Sequence, residues 1–187
     1  MHLGFTAFRA AIGATMFAHG AQKLFGWFGG PGPEGSAKGF DAMGLRPGKR
    51  NALIAGASEA GGGVLLATGF LTPLGSAATI GVMSEAIRSV HRPKGFFNTE
   101  GGYEYNLTLI AAAVALADLG PGPLSLDRAL GTERSGPLWA LAAVGAGLAG
   151  PRLVQELAPP PSPPTPAPAP RTNGRPRAVR ETVGSSR

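Results

Sequence analysis

The chain has no cysteine among its 187 residues. That excludes disulfides, iron–sulfur clusters, thiolate zinc sites and thiol nucleophiles. Charge is scarce as well, at 15% of residues against about 25% in a typical soluble domain. Acidic residues are the rarer sign, 11 against 17 Lys and Arg, for a net charge of +6. Such an excess raises nucleic acid as a partner, and the placement of the charges decides that question. Glycine and proline, by contrast, are abundant, at 30 and 18 residues. Nine of the 18 prolines and five arginines (Arg171, Arg175, Arg177, Arg180, Arg187) fall in residues 159–187, beside one acid, Glu181. The chain is therefore two materials, an apolar Gly/Ala-rich body over 1–158 and a Pro/Arg tail. The mean hydropathy of +0.09 averages the two.

Five apolar runs organise the body. Residues 3–28 are interrupted by Arg9, His19 and Lys23, and residues 52–71 carry Glu59 alone. Residues 74–92 carry Glu85 and Arg88, residues 104–119 lie between Glu104 and Asp118, and residues 137–157 are broken by Pro151 and Arg152. About 20 residues cross a bilayer core of about 30 Å, so the last two runs are short spans. Core helices of a soluble protein would show a charged face every three or four residues, and the second and fourth runs have none. Gly61, Gly62 and Gly63 would each cost a soluble helix about 1 kcal/mol relative to alanine. In lipid, small residues four apart, such as Gly56 with Ala60 and Ala57 with Gly61, let helices approach closely.

The composition predicts an all-α membrane protein. Its core is a four-helix transmembrane bundle over 1–130, with an additional transmembrane helix within 131–158 and a disordered tail over 159–187. The first run reads as a retained span rather than a cleaved signal, because its apolar character continues past His19 to Phe28. Lys and Arg gather in the 29–51 and 93–103 loops and in the tail, leaving mainly Arg9, Arg128 and Arg134 for the opposite face. The positive-inside rule then places the N-terminus outside and the tail in the cytoplasm. The basic residues follow membrane sidedness and form no aromatic-interleaved patch, which argues against nucleic acid. The lipid bilayer is the expected partner. Phe25, Trp27, Phe28, Phe96, Phe97, Tyr103 and Tyr105 collect at the expected inner face, where aromatic rings anchor helices.

Ionisable groups within apolar runs are costly, and they face a bundle interior or mark a site. Their depths agree here. His19, Gln22, Lys23, Glu59, Glu85, Arg88, His91 and Glu104 all fall in the inner half of the bundle at 1.5 Å per residue. One reading pairs them structurally: Glu85 with Arg88, Glu59 with Lys23 or His19, and Arg9 with Asp118 near the outer face. The other makes them a single polar site for a headgroup or a quinone ring, or a proton relay, with His19 or Gln22 donating to a carbonyl and Glu59 relaying the proton. A metal site from His19, His91, Glu59 and Glu85 has little support, since no local ligand spacing such as HxxH is present. Gly29–Pro33 lacks the ending of a phosphate loop. No serine nucleophile arrangement can be picked out.

Three strings, RAAIGATMFAHGAQKLFGWFGGPG, GASEAGGGVLLATGFLTPLG and the stretch from GVMSEAIRSVHRPKGFF to about residue 130, resemble the DoxX family of bacterial membrane proteins. The specific pieces are His19-Gly20-x-Gln22-Lys23, Glu59-x-Gly61-Gly62, and His91 followed by Gly95-Phe96-Phe97 and Gly102-Tyr103-Glu104-Tyr105. The resemblance implies a compact four-helix membrane core and an accessory or membrane-subunit role in a quinone-linked redox or oxidative-stress system. Redox-enzyme subunits would then be partners. With no cysteine, electrons would come through a bound quinone, another cofactor or those partners. The alternatives are a small-solute or proton transporter, or a scaffold anchoring partners through its tail. No internal repeat of the inverted-repeat transporters is visible.

Overall fold

The computed structural model describes residues 3–157, all-helical apart from turns and connections; the expected disordered tail lies outside the described residues. Five long helices, α1 (Leu3–Phe25), α3 (Gly48–Thr68), α4 (Thr72–Ala86), α5 (Glu104–Leu119) and α7 (Pro137–Glu156), are joined by two shorter ones, α2 (Gly32–Ala42) and α6 (Leu126–Leu130). Helix ends follow local chemistry. Pro73 and Pro137 lie in the first turns of α4 and α7, where a missing N–H is no loss. α3 stops at Gly69, whose φ of 65° opens a left-handed C-cap. The Gly69 and Phe70 amides return to Leu66 and Leu65 at 3.1 and 2.9 Å. α4 continues through a π-helical turn, Ile87–His91, so its 72–91 rod is about 30 Å long.

α1 lies against α3 along a seam of glycine. A Cβ at Gly13 would fall on the backbone of Gly63 and Ala67, and one at Gly20 on that of Gly56 and Ala60. α4 packs on α3, α5 and α7. At its crossing with α7, a Cβ on Gly147 would meet Ile80 at 2.8 Å and the Ala77 carbonyl at 2.9 Å. The buried core is accordingly built of small groups, with Ala113, Ala117 and Ala143 in one cluster and Met16, Met83 and Leu109 in another. Large apolar side chains point outward instead: Leu138 is 77% exposed, Leu141 70% and Leu119 65%.

Three expectations change. The 29–51 connection is not merely a loop: residues 32–42 form α2, with Pro33 and Glu34 in its first turn, and it packs on α3 and α1. Pro151 does not break the last run, because α7 runs through it. The missing N–H frees the Gly147 carbonyl, which sits at the close crossing with Gly81. Finally, Arg9 does not pair with Asp118. Its guanidinium turns inward and donates to the carbonyls of Pro121, Leu124 (2.6 Å) and Ala67 (3.5 Å). Carbonyls of the loop that follows α5, and that of Ala67 in the last turn of α3, reach Arg9 before any carboxylate does. By length and composition, α7 is the one helix among the described residues long and apolar enough to cross a membrane.

At the same end as Arg9, Asp127 is fully buried. Its carboxylate accepts from the amides of Leu71 (3.1 Å) and Thr72 (3.3 Å) and from the Thr132 hydroxyl (3.0 Å). It thereby serves the free amides that open α4, where Leu71 has the strained φ of 45°. Asp127→Ala is expected to lower stability by about 3 kcal/mol, since three donors lose a charged acceptor. Unfolding in detergent, with limited proteolysis of the 120–136 connection, checks this; an unchanged midpoint and cleavage rate would contradict it.

Candidate binding groove

Along one side of the bundle α4 forms a floor, with α3 and α7 as walls and α2 at one end. The space between them is about 510 Å³. It runs from Leu74 to His91, about 25 Å of helix at 1.5 Å per residue. Ile54, Ala78, Val82 and Val154 make its length apolar, and polar groups are concentrated at the end near α2.

At that end the Lys23 ammonium, carried by the last turn of α1, meets the Glu59 carboxylate of α3 at 2.6 Å. Glu59 is almost wholly buried, with its side chain 4% exposed against 24% for Lys23. Lys23 also donates to the His19 carbonyl at 3.4 Å. On the floor, Glu85 accepts from Arg88 Nε at 2.9 Å, from the Ser89 hydroxyl at 2.6 Å and from Gln155 Nε2 of α7 at 3.1 Å. Arg50 of α3 donates to the Val154 carbonyl at 3.0 Å. Two contacts, Gln155 to Glu85 and Arg50 to Val154, thus hold the last turn of α7 over the groove.

Of the eight residues singled out in the sequence, Lys23, Glu59, Glu85 and His91 line this groove. The His91 Nδ1 pairs with the Gly101 carbonyl at 2.7 Å, which leaves Nε2 as the ring's other face. The remaining four stand apart from it. His19 packs toward Tyr105 of α5, with ring centroids 6.3 Å apart, and Gln22 donates to the Phe28 carbonyl at 3.4 Å. Arg88 is exposed and turned to Glu85. Glu104 opens α5, where a carboxylate favours the helix N-terminus. Among the described residues no three His, Asp or Glu side chains are grouped to hold a metal ion.

Sequence reasoning missed Arg50, Ser58, Ser89 and Gln155. Three are uncharged, and none stands out in an apolar run as Glu59 does. Arg50 sits one turn into α3, ahead of the apolar run that begins at residue 52. Only the approach of α7 gives Gln155 and Arg50 a common role. Aromatic rings also gather around this end: Phe25, Trp27 and Phe28 form one group, and Phe96, Phe97 and Tyr103 another.

No curated protein and no solved structure matches this chain. The DoxX family model matches residues 4–92, a shorter stretch than the motif resemblance that runs to about residue 130. The match takes in α1 to α4 and, with them, Lys23, Glu59, Glu85 and His91, while α5 and α7 lie beyond it. Residues 4–92, which carry the floor and one wall of the groove, are a DoxX family segment.

Proposed function

We propose that the chain is a multi-pass bacterial membrane protein. Its N-terminus lies outside, its C-terminal tail is cytoplasmic, and it serves as an accessory membrane subunit of a quinone-linked redox system. Small residues inside and large apolar ones outside favour the bilayer as solvent, because close packing replaces hydrophobic burial there. On this reading α1, α3, α4 and α5 form a four-helix transmembrane core, and α7 adds a fifth crossing.

The groove carries the functional part of the proposal. Its volume of about 510 Å³ and its mostly apolar walls suit a ring with a lipid-like tail. A bound quinone supplies two-electron, two-proton carrier chemistry. The chain's own residues would hold it: the Lys23 ammonium and the Ser89 hydroxyl are donors for carbonyl oxygens, and Glu59 and Glu85 are acceptors beside them. Lys23 takes the donor role because His19 and Gln22 stand outside the groove. The salt bridge keeps the ammonium directed along Glu59. With no cysteine in the sequence, electrons would reach the groove from a partner subunit.

Mass spectrometry of the protein purified in mild detergent tests this. The expected result is a co-purified quinone that Gly150→Phe displaces at least about tenfold. Gly150 lines the groove, and nothing lies within 4 Å of a Cβ placed there, so a side chain can start from that position into open space. A folded wild-type preparation free of quinone, or a variant that retains it, would overturn the groove assignment.

A further inference from the structure

At the opposite end of the bundle the most deeply buried cation among the described residues lies under a shallow depression. Arg9 is 2% exposed, and no carboxylate among the described residues comes within 4 Å of it. The carbonyls of Pro121, Leu124 and Ala67 take its two terminal nitrogens, while Nε has no partner. Gly69 makes room for the group: a Cβ there would sit 2.6 Å from Nη1 and 2.8 Å from Cζ. Carbonyl dipoles satisfy hydrogen bonds but supply no paired counter-ion, and the buried Asp127 carboxylate at this end is turned to the amides of Leu71 and Thr72 instead. A buried charge without a paired counter-ion is costly.

The depression above it, about 670 Å³, is bounded by Arg9, Thr68, Ser125 and Arg128. Arg128 is well exposed, and its pairing with Glu133 is long, at 3.5 Å. It is therefore a second cation free to turn inward at little cost. Leu124 and Leu126, 50% and 48% exposed, edge the opening with apolar surface. An anion on this face would lie over the buried Arg9 guanidinium, within reach of its charge, and could be covered by the movable Arg128.

We infer that this depression is a phosphate-binding site, in which the Arg9 charge is completed by a phosphate oxyanion that Arg128 covers. Two sources carry that group, a phospholipid of the outer leaflet and free inorganic phosphate. The first source rests on the membrane reading above; the second does not.

The test is thermal unfolding of the full chain against matched chloride. One arm titrates inorganic phosphate, and the other adds phosphatidylglycerol to a phosphate-free detergent. In at least one arm Tm is expected to rise by roughly 5 °C at saturation, and the responding arm names the source. Arg128→Gln is expected to weaken the apparent Kd by about tenfold with an unchanged ligand-free Tm, since its ion pair is exposed. Arg9→Lys, if it folds, keeps the charge but loses the fork and is expected to abolish the shift. No shift in either arm, or the same titration curve for Arg128→Gln as for wild type, would overturn the inference. If the protein proves soluble without detergent, the membrane reading fails, and the inorganic phosphate arm still decides this site.

Discussion

Alanine placed in turn at Gly61, Gly62 and Gly63 is expected to give three different outcomes from one tripeptide. At Gly63 the new Cβ would strike the Phe17 backbone and lie 2.6 Å from the Gly13 carbonyl. Neither is a flexible side chain, so α1 and α3 must move apart along their whole seam. A loss of at least about 3 kcal/mol follows, a fall in Tm of roughly 6–12 °C. At Gly62 the clash is with the Ala78 methyl of α4 at 2.9 Å, which a small shift relieves at about 1 kcal/mol. At Gly61 nothing lies within 4 Å, and alanine is expected to stabilise by about 0.4–1 kcal/mol through a less flexible unfolded chain. Detergent-solubilised unfolding of the three variants measures the series. Equal effects at all three positions would contradict the α1–α3 packing.

The Lys23–Glu59 pair is expected to respond asymmetrically. Lys23→Met leaves a carboxylate that is 4% exposed without its cation. Removing one partner of such a pair costs about 3–5 kcal/mol. Glu59→Gln leaves instead an ammonium on a flexible stem, 24% exposed, which can reach toward water. Its cost is expected at about half the other or less. The double variant Lys23→Met, Glu59→Met removes both charges and is expected to recover most of the loss, because a buried pair is often replaceable by apolar groups. Unfolding midpoints of the three variants, with retention of quinone measured beside them, separate stability from binding. If Glu59→Gln proved as damaging as Lys23→Met, the burial difference would not be what governs the pair.

Much of the helical frame is legible in the sequence because a long apolar run bounded by glycine and proline has few other solutions. The 104–119 run coincides with α5, and the 137–157 run with α7 to within a residue. Two pairings follow from spacing and depth: Glu85 with Arg88 at i, i+3, and Glu59 with Lys23 or His19, of which the structure pairs Lys23. α2 is missed because its sequence, GPEGSAKGFDA, holds three glycines and a proline. Those are loop signals by propensity, overridden here by packing on α3 and α1. Arg9 misleads for a different reason. A carboxylate at a matching depth is the natural sequence partner, yet loop carbonyls of Pro121 and Leu124 and the Ala67 carbonyl at the end of α3 are closer, and a sequence does not show where they point.

Residue order and composition determined that the body is helical and apolar, that thiol chemistry is absent, and that Glu59 and Lys23 enter the apolar runs at matching depth. Those properties are sums over residues or short-range spacings, which the chain carries locally. Tertiary structure alone decided that half of the predicted site residues share a groove while His19, Gln22, Arg88 and Glu104 do not. Rotation about each helix axis sets this choice, and the glycine contacts between helices fix that rotation. The same packing brought α7, beyond the family-matched segment, over α4 to make a wall. It also gave the far end its buried cation, whose carbonyl partners lie about 60 and 110 residues away in the chain.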